Sequence, residues 1–136
     1  MVSERAFDNI PLREYKGVVW EVEYTDDFGA WWYDLSEPQR VRVHASVNLL
    51  SVKGPTLPFP HSSGIHGSRH THMRELRVQS GGSPLRVFYA FDPRRTAILL
   101  IGGDQTGHDR FYEEYVKTAD DLYDAYLKEL RKEGLI

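Results

Sequence analysis

The sequence predicts a single α+β domain in which helices pack on a twisted, mainly antiparallel sheet, with the element order βααβββα. Three observations support this prediction. Two strand-like stretches, residues 73–78 and 85–91, flank a Gly-Gly turn; the run Thr96–Ile101 is apolar at consecutive positions; and residues 110–132 carry apolar side chains at helical spacing. A chain of 136 residues with 40% hydrophobic content suits one core.

The N-terminal part predicts an arm, a strand and a short helix. Residues 1–17 are polar and weakly patterned, so we expect a flexible arm, with the single domain covering residues 18–136. Residues 18–24 alternate apolar and acidic side chains, which indicates a strand with one buried face. Asp26 or Asp27 can then cap a short helix. Its apolar stripe consists of Phe28, Trp31, Trp32 and Leu35.

A second helix is predicted to begin directly afterwards. Ser36 is a natural N-cap, Pro38 fits the first turn, and Gly54-Pro55 ends the helix. The apolar positions at helical spacing are Val41, Ala45, Leu49 and Val52. Residues 55–68 then form a proline- and glycine-rich loop, long enough to be functional or mobile.

The two strand-like stretches predict a hairpin around the turn Ser80–Ser83. A turn symmetric about Gly81-Gly82 fixes the register. The resulting pairs are Arg77 with Arg86, Leu76 with Val87, and Val78 with Leu85. Alternation places both arginines on the solvent-side face, opposite the apolar face. Like charges directly opposite are unfavourable, so we expect an anion between them, with phosphate as the candidate.

The C-terminal third predicts a central strand, an exit loop and a long helix. Residues 96–101 should be buried on both faces of the sheet, and residues 102–108 form a glycine-rich loop. This loop lacks the glycine spacing and the Lys-Ser/Thr ending of nucleotide-binding fingerprints. The helical stripe over residues 110–132 consists of Phe111, Tyr115, Ala119, Leu122, Tyr126 and Leu130.

Charge is distributed unevenly along the chain. The net charge is −3, but residues 66–95 contain six arginines against Glu75 and Asp92, a local charge of +4 with acidic segments on both sides. This asymmetry is typical of a local anion site; a solvated arginine face is the alternative. The chain has no cysteine, which excludes disulfides and thiolate chemistry. With neither a membrane-length apolar run nor a signal-peptide pattern, we expect a cytoplasmic protein.

Four histidines, His61, His66, His70 and His72, lie in the long loop and the start of the second hairpin strand. They lack a carboxylate at compatible spacing or a helical i, i+4 pair, so we expect solvated or acid/base side chains, with no metal and no cofactor. His108, after the central strand, is equally compatible with a surface and a catalytic role.

Paired arginines, nearby histidines and a tyrosine together suit metal-free cleavage of RNA by its own 2′-hydroxyl. A base removes the 2′ proton, cations stabilise the phosphorane, and an acid protonates the leaving 5′ oxygen. Arginine stays protonated because its pKa exceeds about 12, so a histidine is expected to be the base.

Several motifs resemble the RelE/ParE toxin superfamily, and most closely its HigB-like, phage-derived Gp49-like branch. The resemblance covers roughly residues 20–130. The motifs that carry it are Gly67-Ser68-Arg69, Glu75-Leu76-Arg77, Leu85-Arg86-Val87-Phe88-Tyr89-Ala90-Phe91, and Gly102-Gly103-Asp104 through Tyr112 with the helix that holds Ala119.

The resemblance implies a small microbial-ribonuclease-like, RelE-like domain. It also implies a toxin of a type II toxin-antitoxin pair, an mRNA endoribonuclease that inhibits translation and forms a hetero-oligomer with a helix-turn-helix antitoxin. Arg77 and Arg86 match the arginines expected at the scissile phosphate, and His108, Arg110 and Tyr112 lie where acid/base and stacking residues are expected. The chain lacks the family's strongly basic character, which favours cleavage on the ribosome over independent RNA binding.

The basic middle is expected to supply further RNA contacts, from Arg69, His70, His72, Arg74, Arg94 and Arg95. Two other functions remain open: a ParE-like inhibitor of DNA gyrase that cuts no RNA, and a decayed toxin that acts only as a corepressor with its antitoxin. The tyrosines of the last helix could line an antitoxin interface, although core packing is favoured.

Overall fold

The computed structural model describes residues 19–136 and the backbone of Val2–Ser3, and it confirms the α+β prediction. The strands are β1 (Val2–Ser3), β2 (Val22–Tyr24), β3 (Ser62–Gly64), β4 (Arg74–Ser80), β5 (Ser83–Phe91) and β6 (Ala97–Asp104). The helices are α1 (Asp26–Asp34), α2 (Glu37–Lys53) and α3 (Phe111–Lys132), with a 3₁₀ turn at Gly54–Thr56. Apart from the backbone of β1, the arm predicted over residues 1–17 lies outside the described residues.

The strands form one sheet in the order β1-β2-β6-β5-β4-β3, and only the β2–β6 pair is parallel. One face packs against α1 and α2 through side chains such as Phe28, Val43 and Leu76. The other face packs against α3, where Phe88 and Phe111 meet. The central strands β5 and β6 are therefore covered on both sides, as the apolar run in β6 predicts.

The hairpin has the predicted register. Arg77 pairs with Arg86, and Ser80 pairs with Ser83 across the turn. Gly81 and Gly82 have φ values of 55° and 85°, the conformation that a two-residue turn between twisted strands requires. The local turn chemistry alone therefore fixes which side chains face each other.

Both N-terminal helices form, and the N-cap of α1 differs from the predicted one. The N-cap of α1 is Thr25, which precedes the predicted aspartates; its Oγ1 accepts a hydrogen bond from Phe28 N at 3.0 Å and donates to the Leu100 carbonyl at 2.6 Å. Ser36 caps α2 as predicted, in a reciprocal pair with Gln39.

The buried face of α2 is not the predicted one. Its core residues are Val43, Val47, Leu50 and Ser51, whereas Val41 is 59% exposed. The helix carries apolar residues on two faces, so periodicity does not distinguish them. The predicted stripe instead faces a cavity described below, through Ala45 and Leu49.

Two segments predicted as loops contain ordered structure. The long loop includes the 3₁₀ turn and β3, which pairs with the first half of β4. Gly102 and Gly103 belong to β6. A Cβ atom added at residue 102 would lie 2.3 Å from Trp31 Cε3, and one added at residue 103 would lie 2.6 Å from Tyr115 Cε2. These glycines serve close packing rather than flexibility.

Helix α3 begins one residue later than predicted. Tyr123 and Tyr126 are buried against the sheet, which confirms core packing for these two tyrosines. Of the helices within the described residues, none has the length and apolar character needed to cross a membrane.

Candidate anion-binding site at the hairpin

A buried carboxylate lies between the two paired arginines. Glu75 is 3% exposed, and its Oε2 accepts a hydrogen bond from Arg77 Nη1 at 3.0 Å. Arg86 Nε lies 3.8 Å from Glu75 Oε1. The anion expected between the two arginines is therefore, in part, the carboxylate of Glu75. This corrects the expectation that an external phosphate alone separates the two positive charges. Two guanidinium groups share one carboxylate, so one positive charge remains in excess.

The two arginines differ in exposure, and neither lies on an open solvent-side face. The side chain of Arg86 is 9% exposed and that of Arg77 is 30% exposed. Arg86 Nη1 donates to the Leu85 carbonyl at 3.0 Å, while its buried Nε has no hydrogen-bond partner among the described residues. An unsatisfied charged donor in a buried place is costly, and the Glu75 carboxylate 3.8 Å away offsets this cost in part.

Tyr112 completes the cluster from the first turn of α3. Its hydroxyl donates to Glu75 Oε1 at 2.7 Å. Burial, followed by the hydrogen bond to Glu75, raises the pKa of Tyr112 above its ordinary value of 10.0, and Arg86 opposes this only in part. Tyr112 is therefore a neutral donor at physiological pH and not a base. We call Glu75, Arg77, Arg86 and Tyr112 the hairpin cluster.

A cavity of about 450 Å³ opens beside the hairpin cluster. The hairpin contributes Arg77 and Arg86, the loop before β3 contributes His61, and α2 contributes Arg42. Arg42 Nε donates to the Gln79 carbonyl at 3.0 Å, which ties the helix to β4. Three arginines and one histidine are among the residues that line this cavity, and such side chains suit phosphate or carboxylate.

Sequence reasoning missed Arg42 and gave His61 no particular place. Arg42, Ala45, Ser46 and Leu49 line the cavity, and their spacing of three, four and seven residues marks one face of α2. That pattern was available in the sequence, but nothing local shows that this face meets the hairpin. His61 is fixed by its backbone, because its carbonyl accepts from Arg77 N at 2.9 Å.

The structure brings Arg77, Arg86 and Tyr112 together, but it places the other two predicted catalytic residues elsewhere. His108 Nε2 lies 3.0 Å from Glu114 Oε2. Arg110 Nη2 lies 2.7 Å from Glu113 Oε1, and both side chains are largely exposed. Neither His108 nor Arg110 lines the cavity.

The predicted RNA contacts at residues 69–72 face acidic side chains of α3. Arg69 Nη2 contacts Asp124 and lies 3.2 Å from Asp121 Oδ1, and His70 Nε2 lies 2.7 Å from Asp124 Oδ1. Asp120, 2% exposed, accepts from the backbone N–H of Arg69 at 2.9 Å. We call Arg69, His70 and these three aspartates the α3 acidic cluster.

The remaining predicted contacts also have partners within the chain. His72 Nε2 lies 3.1 Å from the Tyr123 hydroxyl, and burial, with His70 as a second cause, lowers the pKa of His72. Arg74 Nε donates to Ser62 Oγ at 3.0 Å. Arg94 Nη2 pairs with Asp92 Oδ2 at 2.9 Å, and the Arg95 guanidinium lies 4.6 Å from the centroid of the Trp20 ring. None of these groups lines the cavity beside the hairpin cluster.

Comparisons with known proteins identify the family of this chain. A family model described as phage derived protein Gp49-like (DUF891) matches residues 30–124. A Mycobacterium tuberculosis protein named "Putative toxin HigB2" is 38% identical over 100 residues, which cover 72% of this chain and 50% of that protein. A second, named "Putative toxin HigB3", is 36% identical over 98 residues, which cover 71% of this chain and 84% of that protein. The match thus spans half of the first relative. No solved structure gives a significant match.

Proposed function

Because the chain belongs to the phage-derived Gp49-like family, in its HigB-like branch, we propose that it is the toxin of a type II toxin-antitoxin pair and acts as a metal-free endoribonuclease on mRNA. The names of both relatives support the toxin role. The chemistry rests on one observation, the excess of guanidinium groups over carboxylates at the cavity beside the hairpin cluster.

The proposed reaction is attack of a ribose 2′ oxygen on the adjacent phosphorus. The new O2′–P bond forms as the P–O5′ bond breaks, which leaves a 2′,3′-cyclic phosphate and a 5′-hydroxyl end. Arg77 and Arg86 would hold the phosphate and stabilise the charge that develops on the phosphorane. His61, the histidine at this cavity, is assigned removal of the 2′ proton, and the departing 5′ oxygen takes up a proton from water. A DNA strand lacks the 2′-hydroxyl and would not react.

Glu75 and Tyr112 act as positioning residues in this proposal. Glu75 Oε2 accepts from Arg77, and the Tyr112 hydroxyl donates to Oε1, the carboxylate oxygen nearest Arg86. Orientation of charged groups before the substrate arrives lowers the reorganisation that the reaction requires. Arg42 would add a third positive charge at the cavity wall.

The proposed partners are mRNA on the ribosome and a helix-turn-helix antitoxin that silences the toxin. A net charge of −3 gives little sequence-independent affinity for RNA, so a ribosome that presents the mRNA would compensate. This places the proposed activity in the cytoplasm.

The test is expression of the chain in growing cells, followed by mapping of RNA ends. Wild-type protein should generate new 5′-hydroxyl ends in mRNA and reduce translation. The double variant Arg77→Ala, Arg86→Ala should generate none. A matched control, Lys128→Ala, Arg131→Ala, removes the same charge from exposed positions on the last turns of α3 and should cleave like wild type.

The opposite results are equally informative. No new 5′-hydroxyl ends with any variant, together with inhibited DNA supercoiling, would support the gyrase alternative. If the chain affects neither RNA nor DNA supercoiling and binds operator DNA only in complex with the antitoxin, a corepressor role would be supported.

A further inference from the structure

An exposed aromatic ring, that of Phe59, lies next to Arg77, one of the residues that line the cavity. Phe59 is 69% exposed, the highest value among the large apolar side chains of the described part of the chain. The next two residues, Pro60 and His61, line the cavity. A single exposed apolar side chain is common on protein surfaces, but this one lies beside an arginine that lines the cavity.

The ring of Phe59 is linked to the phosphate-binding arginine. The Arg77 guanidinium carbon lies over the ring, 5.4 Å from its centroid, and Arg77 also contacts buried Glu75. The cation-π contact places the ring beside the group that would hold a phosphate. At 69% exposure, most of the surface of Phe59 still faces solvent.

We propose that Phe59 is the stacking platform for a nucleobase adjacent to the phosphate held by Arg77 and Arg86. This inference rests on the proposed function and specifies the substrate as single-stranded RNA with an unstacked base. In a duplex, neighbouring bases cover both faces of each base, which leaves none for the Phe59 ring. Stacking on one aromatic ring tolerates any base, so this contact adds affinity without strong sequence preference.

The experiment measures binding of the full chain to two short labelled strands at low ionic strength, where phosphate contacts are strongest. One strand is a 2′-O-methyl oligoribonucleotide, which cannot be cleaved. The other has the same length and phosphates but lacks the bases. Phe59→Leu should weaken binding of the base-containing strand about tenfold and leave the abasic strand unchanged. Phe59→Trp should retain wild-type affinity.

Two controls separate this inference from the proposed function. Tyr33→Leu removes an aromatic side chain that is 67% exposed on α1 and should not change binding of either strand. Arg77→Ala should weaken the binding of both strands. If Arg77→Ala has no effect on either strand, the phosphate site itself fails.

If Arg77→Ala weakens the binding of both strands but Phe59→Leu weakens the binding of neither, the phosphate site is supported and the role of Phe59 as a stacking platform is refuted. Equal loss for both strands with Phe59→Leu would also refute it, since the ring would then act only through Arg77. Thermal unfolding of each variant confirms that exposed Phe59 and Tyr33 can be changed without loss of the fold.

Discussion

The hairpin cluster and the α3 acidic cluster both draw on the same basic stretch of sequence, but they have opposite ion balances. At the hairpin, two arginines share the single carboxylate of Glu75. At α3, Arg69 and His70 face three aspartates. The number of arginines in a segment therefore does not show how much positive charge is available to a ligand. Availability depends on which carboxylates the fold brings to them.

The largest difference between the two clusters should appear in RNA cleavage. Arg86→Ala removes a buried guanidinium that would stabilise the transition state, so the rate should fall about a hundredfold or more. Arg69→Ala removes an arginine already paired with aspartates, so the rate should stay within about twofold of wild type. Cleavage rates on the same mRNA, with circular dichroism to confirm folding, measure both. Equal losses would break the comparison.

The α3 acidic cluster should instead control stability. Asp120 is 2% exposed and accepts from Ser68 Oγ at 2.5 Å and from Arg69 N at 2.9 Å. Asp120→Ala leaves these donors unpaired, which should lower the free energy of unfolding by about 1–3 kcal/mol. Urea unfolding measures this free energy. The control is Asp121→Ala at an exposed position, which should change the free energy of unfolding little. Cleavage per folded molecule should be retained; its loss would show that the two clusters are coupled.

Tyr112 tests the positioning role within the hairpin cluster. Tyr112→Phe removes the hydrogen bond to Glu75, so Arg86 is held less firmly and cleavage should fall about tenfold. Burial raises the pKa of Tyr112 above 10.0, so the phenol keeps its proton throughout the neutral range. The pH profile below that value should therefore keep its shape in the variant. A basic limb that disappears with Tyr112→Phe would instead make the phenol a proton-transfer group.

The smallest effect concerns pH and exposed Asp124. Hydrogen bonds from Arg69 and then from His70 hold the pKa of Asp124 below its ordinary value of 3.8. A carboxyl whose pKa is lower in the folded chain stabilises the fold above its unfolded pKa, and this contribution is lost as the pH falls through the folded pKa. Asp124→Asn should therefore slightly lower the urea midpoint at neutral pH, and this difference should shrink in acid. The effect is small because solvent screens the pair. A difference that grows in acid would contradict the assignment.

Local sequence patterns were sufficient to predict the hairpin register and the start of α2. The Gly81-Gly82 turn fixes the pairing of Arg77 with Arg86, and the reciprocal cap of Ser36 and Gln39 fixes the start of α2. Both depend on residues only a few positions apart, so the sequence alone is sufficient.

Contacts between distant elements could not be predicted in the same way. Asp120 lies 51 residues from Arg69, and Arg42 lies 37 residues from its partner Gln79. Helix α2 offers two apolar faces of similar strength, so only packing decides which one is buried and which one faces the cavity. His108, which the sequence predicts to be catalytic, pairs with Glu114 and does not line the cavity; a strand end alone does not specify which side chains surround it.

Gly103 shows how the proposed site depends on a residue that would touch no substrate. It pairs with Arg86 across the sheet, and its missing side chain leaves room for the rings of Tyr115 and Phe111. Both rings belong to α3, which also carries Tyr112 of the hairpin cluster. Any larger residue at this position would push the helix outward and disturb the arginine indirectly. A substitution there would therefore reduce the proposed activity without removing any group that contacts RNA.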